Sequence, residues 1–188
     1  MHRPSPQDPV TADPSPEVLR HAFRELHAPS LHGFALLLTL GDRRRAVALS
    51  ADALAAADAH AAELRHPERA AAWLRSRVVA AAGRRDSRID ADGRLDALAP
   101  LGAGASVLAG LAALGILERA ALIGSAVERF DDRDVATIVG RSGNRLDALL
   151  RRARQGFLDG SAAAPSGPSG LGGPLTDLVQ AAAARAMA

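Results

Sequence analysis

Five arginines fall between positions 141 and 154, namely Arg141, Arg145, Arg151, Arg152 and Arg154, against one carboxylate in the same stretch, Asp147. A guanidinium presents its N–H donors in a rigid fork that fits phosphate oxygens, so a run of them is chemistry for holding a polyanion. Their spacing matters as much as their number. Leu146, Leu150, Ala153 and Phe157 recur at intervals of four, three and four, which predicts a helix with those four side chains inward and Arg141, Arg145 and Arg152 outward. Arg151 and Arg154 fall at the rim, and Ser142 and Asn144 add polar groups at the start. Arg151, Arg152 and Arg154 are also what the negative end of a helix dipole favours, so the residues alone leave a solvated face as the alternative.

Such a helix needs a partner to aim it. The preceding residues supply one: Val135, Ala136, Ile138 and Val139 form an apolar face, with Asp131 or Asp132 as N-cap. Gly140 stands where a left-handed C-cap is wanted, and Ser142 is placed to cap the second helix. Two short helices joined by so tight a turn predict a helix-turn-helix, whose second helix lies in the major groove of duplex DNA.

The composition bounds what surrounds this unit. The chain has 188 residues, 48% of them hydrophobic but only 3% aromatic, and alanine and leucine dominate. Small side chains of this kind build closely packed helices rather than sheets, which draw on β-branched and aromatic residues. An all-α protein is expected. The pI near 10.7 accompanies a formal net charge of only +2. With no Lys, Tyr or Cys, little titrates between the histidine range and arginine, so a slight excess of arginine lifts the pI far. The location of the arginines therefore carries more information than the pI.

Pro- and Asp-rich residues 1–14 read as a disordered tail. Residues 15–83 read as a helical domain of four segments. Ser15, Pro16 and Glu17 open the first, Pro29 and Ser30 end it, and a second closes at Gly41. Asp42 caps a third that runs to about Leu64, and residues 67–82 form a fourth around Trp73. Residues 84–105, polar and glycine-bearing, read as a flexible linker. Residues 106–158 form the second helical domain, 159–174 a low-complexity joint, and 175–188 a short C-terminal helix.

No enzyme chemistry emerges. The histidines are scattered without metal-ligand spacing, the acids at 131–134 suit a helix start, and neither a nucleophile motif nor a phosphate-binding glycine loop is found. No catalytic residue, metal or cofactor is expected. The absence of cysteine suits a reducing compartment, and no apolar run reaches the length of a signal or membrane span. A cytoplasmic protein without a membrane partner is the expectation.

Residues 106–158 resemble region 4 of extracytoplasmic-function sigma factors of the sigma-70 superfamily. Leu111, Leu114 and Arg119 match that family's first helix motif, Val135, Ala136 and Gly140 its second, and Leu150, Arg152, Ala153 and Arg154 the end of its recognition helix. Residues 23–54 and the tryptophan-bearing segment around Trp73 are similar to region 2. The resemblance implies two small helical domains, DNA binding through Arg141, Ser142, Asn144, Arg145, Arg151, Arg152 and Arg154, and core RNA polymerase as a partner through Arg44, Val47, Ala48, Ala51 and Asp52. The departures fall on working positions. Val47, Ala48 and Ala51 replace the family's polar residues, and Ala148 and Leu149 replace its Ser-Arg pair. The expectation is a sigma factor-like transcription regulator with degenerate polymerase-binding and promoter-melting determinants. The alternative is a helical interaction module on a sigma scaffold that recruits or sequesters a regulatory protein.

Overall fold

The computed structural model describes residues 15–60, 67–83 and 91–163. The expected N-terminal tail, the last turn of the third predicted helix, residues 84–90 and the chain from 164 to 188, including the predicted C-terminal helix, lie outside the described residues. Among the described residues the structure is all-α: α1 (Pro16–Leu38), α2 (Arg43–Ala59), α3 (Pro67–Ala82), α4 (Ala91–Leu98), α5 (Ala105–Ala112), α6 (Ile116–Leu122), α7 (Asp132–Val139) and α8 (Asn144–Ala162). A 3-10 turn, Ala99–Leu101, follows α4, and a π-helical segment, Ile123–Val127, extends α6. No single described helix is long and apolar enough to cross a membrane.

Local chemistry sets the helix starts. The Ser15 hydroxyl accepts from Val18 N, with Pro16 in the first turn, where its missing N–H costs nothing. Asp42 caps α2 by accepting from Arg45 N at 2.9 Å, and Asp131 caps α7 by accepting from Asp134 N at 2.8 Å. Pro29 does not end the first helix as expected; α1 continues through it to Leu38. The proline ring faces solvent, while Leu31, Phe34, Ala35 and Leu38 just beyond it are buried. Their burial outweighs the one backbone hydrogen bond a proline forfeits. The chain then reverses at Gly41, whose φ of +81 suits glycine and whose missing Cβ would stand 2.5 Å from the Arg94 carbonyl oxygen.

That contact brings α4 against the end of α1 and corrects the reading of residues 84–105 as a linker throughout. Residues 91–101 are helical, and Ala97 and Leu98 are buried. Arg43 holds the segment by donating to the Asp96 carbonyl at 3.0 Å. A polar stretch with so few apolar residues lacks a visible period, because its helix is fixed by what it packs on. The expected joint at Asp159 begins too early for a similar reason. α8 continues to Ala162, and Gly160 sits so close to α5 that a Cβ would come within 2.7 Å of Ala113 Cβ and 3.0 Å of the Ala109 carbonyl.

The helices of residues 16–82 and those of 105–162 meet in one contiguous core that runs from Leu31 to Phe157. Two buried arginines stitch it. Arg75 of α3 forms a two-pronged ion pair with Glu128 and lies over the Phe130 ring at 4.9 Å and the Phe34 ring at 5.7 Å. Arg119 of α6 donates to the carbonyls of Leu38, Leu111 and Leu114 at 2.6, 2.8 and 2.8 Å.

Within the second group α5 and α8 approach closely because glycines face each other's helix. A Cβ on Gly110 would fall 2.6 Å from the Phe157 ring and 2.9 Å from its carbonyl oxygen. Gly110→Ala is therefore expected to cost about 1–3 kcal/mol, read as a lower urea midpoint. Gly93→Ala, with nothing within 4 Å of the new methyl, is expected to stabilise α4 by about 0.5–1 kcal/mol. Equal effects of the two changes would contradict the close α5–α8 packing.

Candidate nucleic-acid interface

α7 and α8 are joined by the turn Gly140–Gly143. Gly140 adopts the left-handed conformation at φ 63 and ψ 35, and Arg141 N donates back to the Ala136 carbonyl at 3.2 Å. The expected cap by Ser142 is not formed. The N-cap position belongs to Gly143, at φ 53, with no side-chain hydrogen bond, and Ser142 is exposed. A glycine at positive φ shifts the helix start by one residue, which a serine reading cannot anticipate. The first turn of α8 therefore keeps backbone N–H groups uncapped by any side chain, beside Arg141 and Arg145.

The inward face of α8 is as the spacing predicts: Leu146, Leu150, Ala153 and Phe157 are buried, joined by Leu149. Packing of this face against α5 and α6 fixes the rotation of the helix about its axis, and so decides which residues look outward. Arg141, Ser142, Asn144, Arg145, Arg151 and Arg152 are exposed, while Arg154 is half-buried. Asn144, Arg145, Ala148, Arg151, Arg152 and Gln155 line one side along about 16 Å of helix. Gln155 was missed from the sequence although its spacing from Arg151 and Arg152 would have shown it; its amide donates to Asp159 Oδ1 at 2.8 Å.

The arginines differ in their surroundings. Arg145 and Arg151 make no ion pair among the described residues, and Arg141 donates to the Gly140 carbonyl at 2.9 Å. Arg152 Nε lies 3.3 Å from Glu118 Oε1, while the other Glu118 oxygen accepts from Gly115 N at 3.2 Å at the start of α6. Its charge is thus partly matched within the protein. No local signal in the sequence pairs residues 34 apart.

On α2 the residues assigned to a polymerase-binding face do share one exposed side: Arg44, Val47, Ala48, Ala51 and Asp52. Val47 is 57% exposed. The neighbouring Arg43 and Arg45 are turned to the protein, donating to the carbonyls of Asp96 and Ala82. Trp73 is half-buried, with the His60 ring 5.3 Å away and the Arg77 guanidinium 5.8 Å from its ring centre.

Among the described residues no group of three or more His, Cys, Asp or Glu is arranged to hold a metal ion. Among the described residues two titratable groups are shifted from their ordinary values. Burial raises the Glu128 carboxyl above its ordinary value, and Arg75 works against that shift. His27, its ring tilted 55° to that of Phe23 at a centroid distance of 4.5 Å and its Nε2 buried and unpartnered, is lowered from 6.5 first by burial and then by the Arg75 charge.

No protein-family model, curated protein or solved structure matches this chain.

The sign of the His27 effect follows from proton linkage. Between its lowered value and the ordinary 6.5, the unfolded chain takes up a proton that the folded chain does not, so stability falls as pH is lowered through this window. His27→Gln is expected to remove that part of the pH dependence in urea titrations at a series of pH values. An unchanged slope would place the responsible group elsewhere.

Proposed function

We propose that this chain is a sigma factor-like transcription regulator that binds duplex DNA through α8. The observation that carries the reading is the arginine-bearing side of α8, turned to solvent by a buried opposite face and preceded by a tight turn from α7. The dimensions are right for a major groove, into which one α-helix fits. Leu146 N and Asp147 N donate to the Gly143 carbonyl, and the Asn144 and Arg145 N–H groups at the start of α8 add backbone donors for a phosphate next to Arg141 and Arg145. The likeness of residues 106–158 to sigma region 4 supports the same role. With Ala148 in the middle of the outward side, base-edge contacts are few, and phosphate contacts supply most of the affinity.

A second reading is favoured by the α2 face. Val47, Ala48 and Ala51 offer no charge-assisted hydrogen bond to a polymerase clamp, and Val47 is an exposed apolar group suited to a protein partner. On this reading the chain is an interaction module on a sigma scaffold that recruits or sequesters a regulatory protein.

Binding to genomic fragments by mobility shift separates the two. If Arg141, Arg145 and Arg151 each neutralise a phosphate, log K falls against log salt with a slope of about −3, and each Arg→Ala change removes about one unit. Arg152→Ala is expected to remove less, because Glu118 already matches part of its charge. No binding at low salt, or a slope untouched by Arg145→Ala with Arg151→Ala, would leave the interaction module as the better reading. A pull-down of core RNA polymerase by the purified chain is expected to be weak or negative, with no promoter opening. Robust open-complex formation would instead restore full initiation activity.

A further inference from the structure

Glu118 is the one carboxylate among the described residues that forms an ion pair with an arginine of α8. It lies 34 residues before Arg152, in the first turn of α6. Its two oxygens are used differently. Oε2 accepts from Gly115 N at 3.2 Å, which ties the carboxylate to the start of its own helix. Oε1 stands 3.3 Å from Arg152 Nε. The Glu118 side chain is 27% exposed and that of Arg152 63%, so the acid is the fixed member of the pair and the guanidinium the one a ligand reaches. A guanidinium is planar and presents its donors in a rigid fork. With Nε turned to Glu118, Nη1 and Nη2 keep their N–H groups without a partner among the described residues. Two parallel N–H groups of this kind are what a phosphate accepts in a two-pronged contact. Arg145 lies two turns earlier on the same side of α8, about 10.5 Å along the axis.

We infer that Glu118 is a positioning residue for the DNA face: it aims the free edge of Arg152 at one backbone phosphate and offsets its charge, so that this contact places α8 along the duplex and adds little to the salt-dependent affinity. The inference rests on α8 binding duplex DNA as proposed above. Counterions leave DNA in proportion to the positive charge brought to its phosphates. Arg145 and Arg151 each bring a full charge, whereas Arg152 arrives with an anion 3.3 Å from its Nε. The hydrogen bonds of Nη1 and Nη2 remain available, and contacts of this kind fix register and orientation on the backbone. An ion pair this exposed contributes little to stability, so holding the fold together is a poor account of it. An arginine held in one orientation beforehand loses less side-chain freedom when it meets a phosphate. Removing the carboxylate therefore has two separable effects: Arg152 is released to move, and its charge is unmasked.

Two measurements on the full chain test this. Without DNA, nuclear magnetic relaxation of the arginine Nε nitrogens is expected to show Arg152 more ordered than Arg151, which makes no ion pair among the described residues. Glu118→Gln is expected to bring the two to the same mobility. Glutamine keeps an oxygen for Gly115 N, so the melting temperature is expected to stay at the wild-type value. With genomic fragments in mobility shifts, Glu118→Gln is expected to steepen the slope of log K against log salt from about −3 to about −4. Over a four-fold rise in salt the variant then loses about three- to four-fold more affinity than the wild type. Adding Arg152→Ala to Glu118→Gln is expected to return the slope to about −3. An unchanged slope in Glu118→Gln, with wild-type binding still dependent on Arg145 and Arg151, overturns the inference and leaves the DNA reading standing. Equal mobility of Arg151 and Arg152 in the wild type also overturns it, since nothing is then aimed. A lowered melting temperature with the slope unchanged overturns it by making the pair a tie between α6 and α8. Absence of binding by every variant at low salt removes the DNA reading itself, and this inference with it.

Discussion

A buried guanidinium must find acceptors for its donors or the fold bears the cost of an unsolvated charge. Arg119 meets that demand with three carbonyl oxygens at two helix ends: Leu38 at the end of α1, and Leu111 and Leu114 at the end of α5. Both ends carry the negative pole of a helix dipole, and the Leu111 carbonyl accepts from Leu114 N at 3.2 Å as well as from Arg119. One side chain thus satisfies acceptors from both helical groups, and each group is incomplete without it. Arg75 makes a second stitch by a different route, pairing with Glu128 between two phenylalanine rings. The apolar core closes over these polar contacts, with Leu74, Val78, Leu122, Ile123 and Val135 buried around the junction.

The placement of α8 follows from this arrangement. α6, anchored through Arg119, and α5, brought close by Gly110 and Gly160, form the seat on which Leu146, Leu149, Leu150, Ala153 and Phe157 rest. That seat sets the rotation of α8 and presents Asn144, Arg145, Arg151 and Arg152 outward. The same rigidity places the exposed face of α2 on the same body as the arginine side of α8. Whatever binds either face meets a surface whose orientation is fixed by the core.

Much of the local structure was legible in the sequence because its causes are local. Ser15, Asp42 and Asp131 cap the helices they precede, and Gly140 takes the left-handed conformation that ends α7. The inward side of α8 was legible too, since periodicity records it. What was not legible depends on partners far along the chain. Pro29 reads as a stop, yet burial of Leu31 and Phe34 carries α1 through it. Arg119 lies 81 residues from Leu38 and Arg75 lies 53 from Glu128, so the sequence offers two helical groups and a spacer but not their union. The pairing of Arg152 with Glu118 escaped for the same reason, and it changes the candidate site by reducing the charge that one of its arginines offers.

Native-state amide exchange in rising denaturant tests the union of the two groups most directly. The account predicts that the slowest amides of α1, such as those of Leu36 and Leu37, and those of α8, such as Leu150 and Ala153, converge on one opening isotherm with the same free energy and the same denaturant dependence. Two separate isotherms, with α5 to α8 opening at lower free energy while α1 to α3 stay protected, would contradict it and return the chain to two independently folding groups.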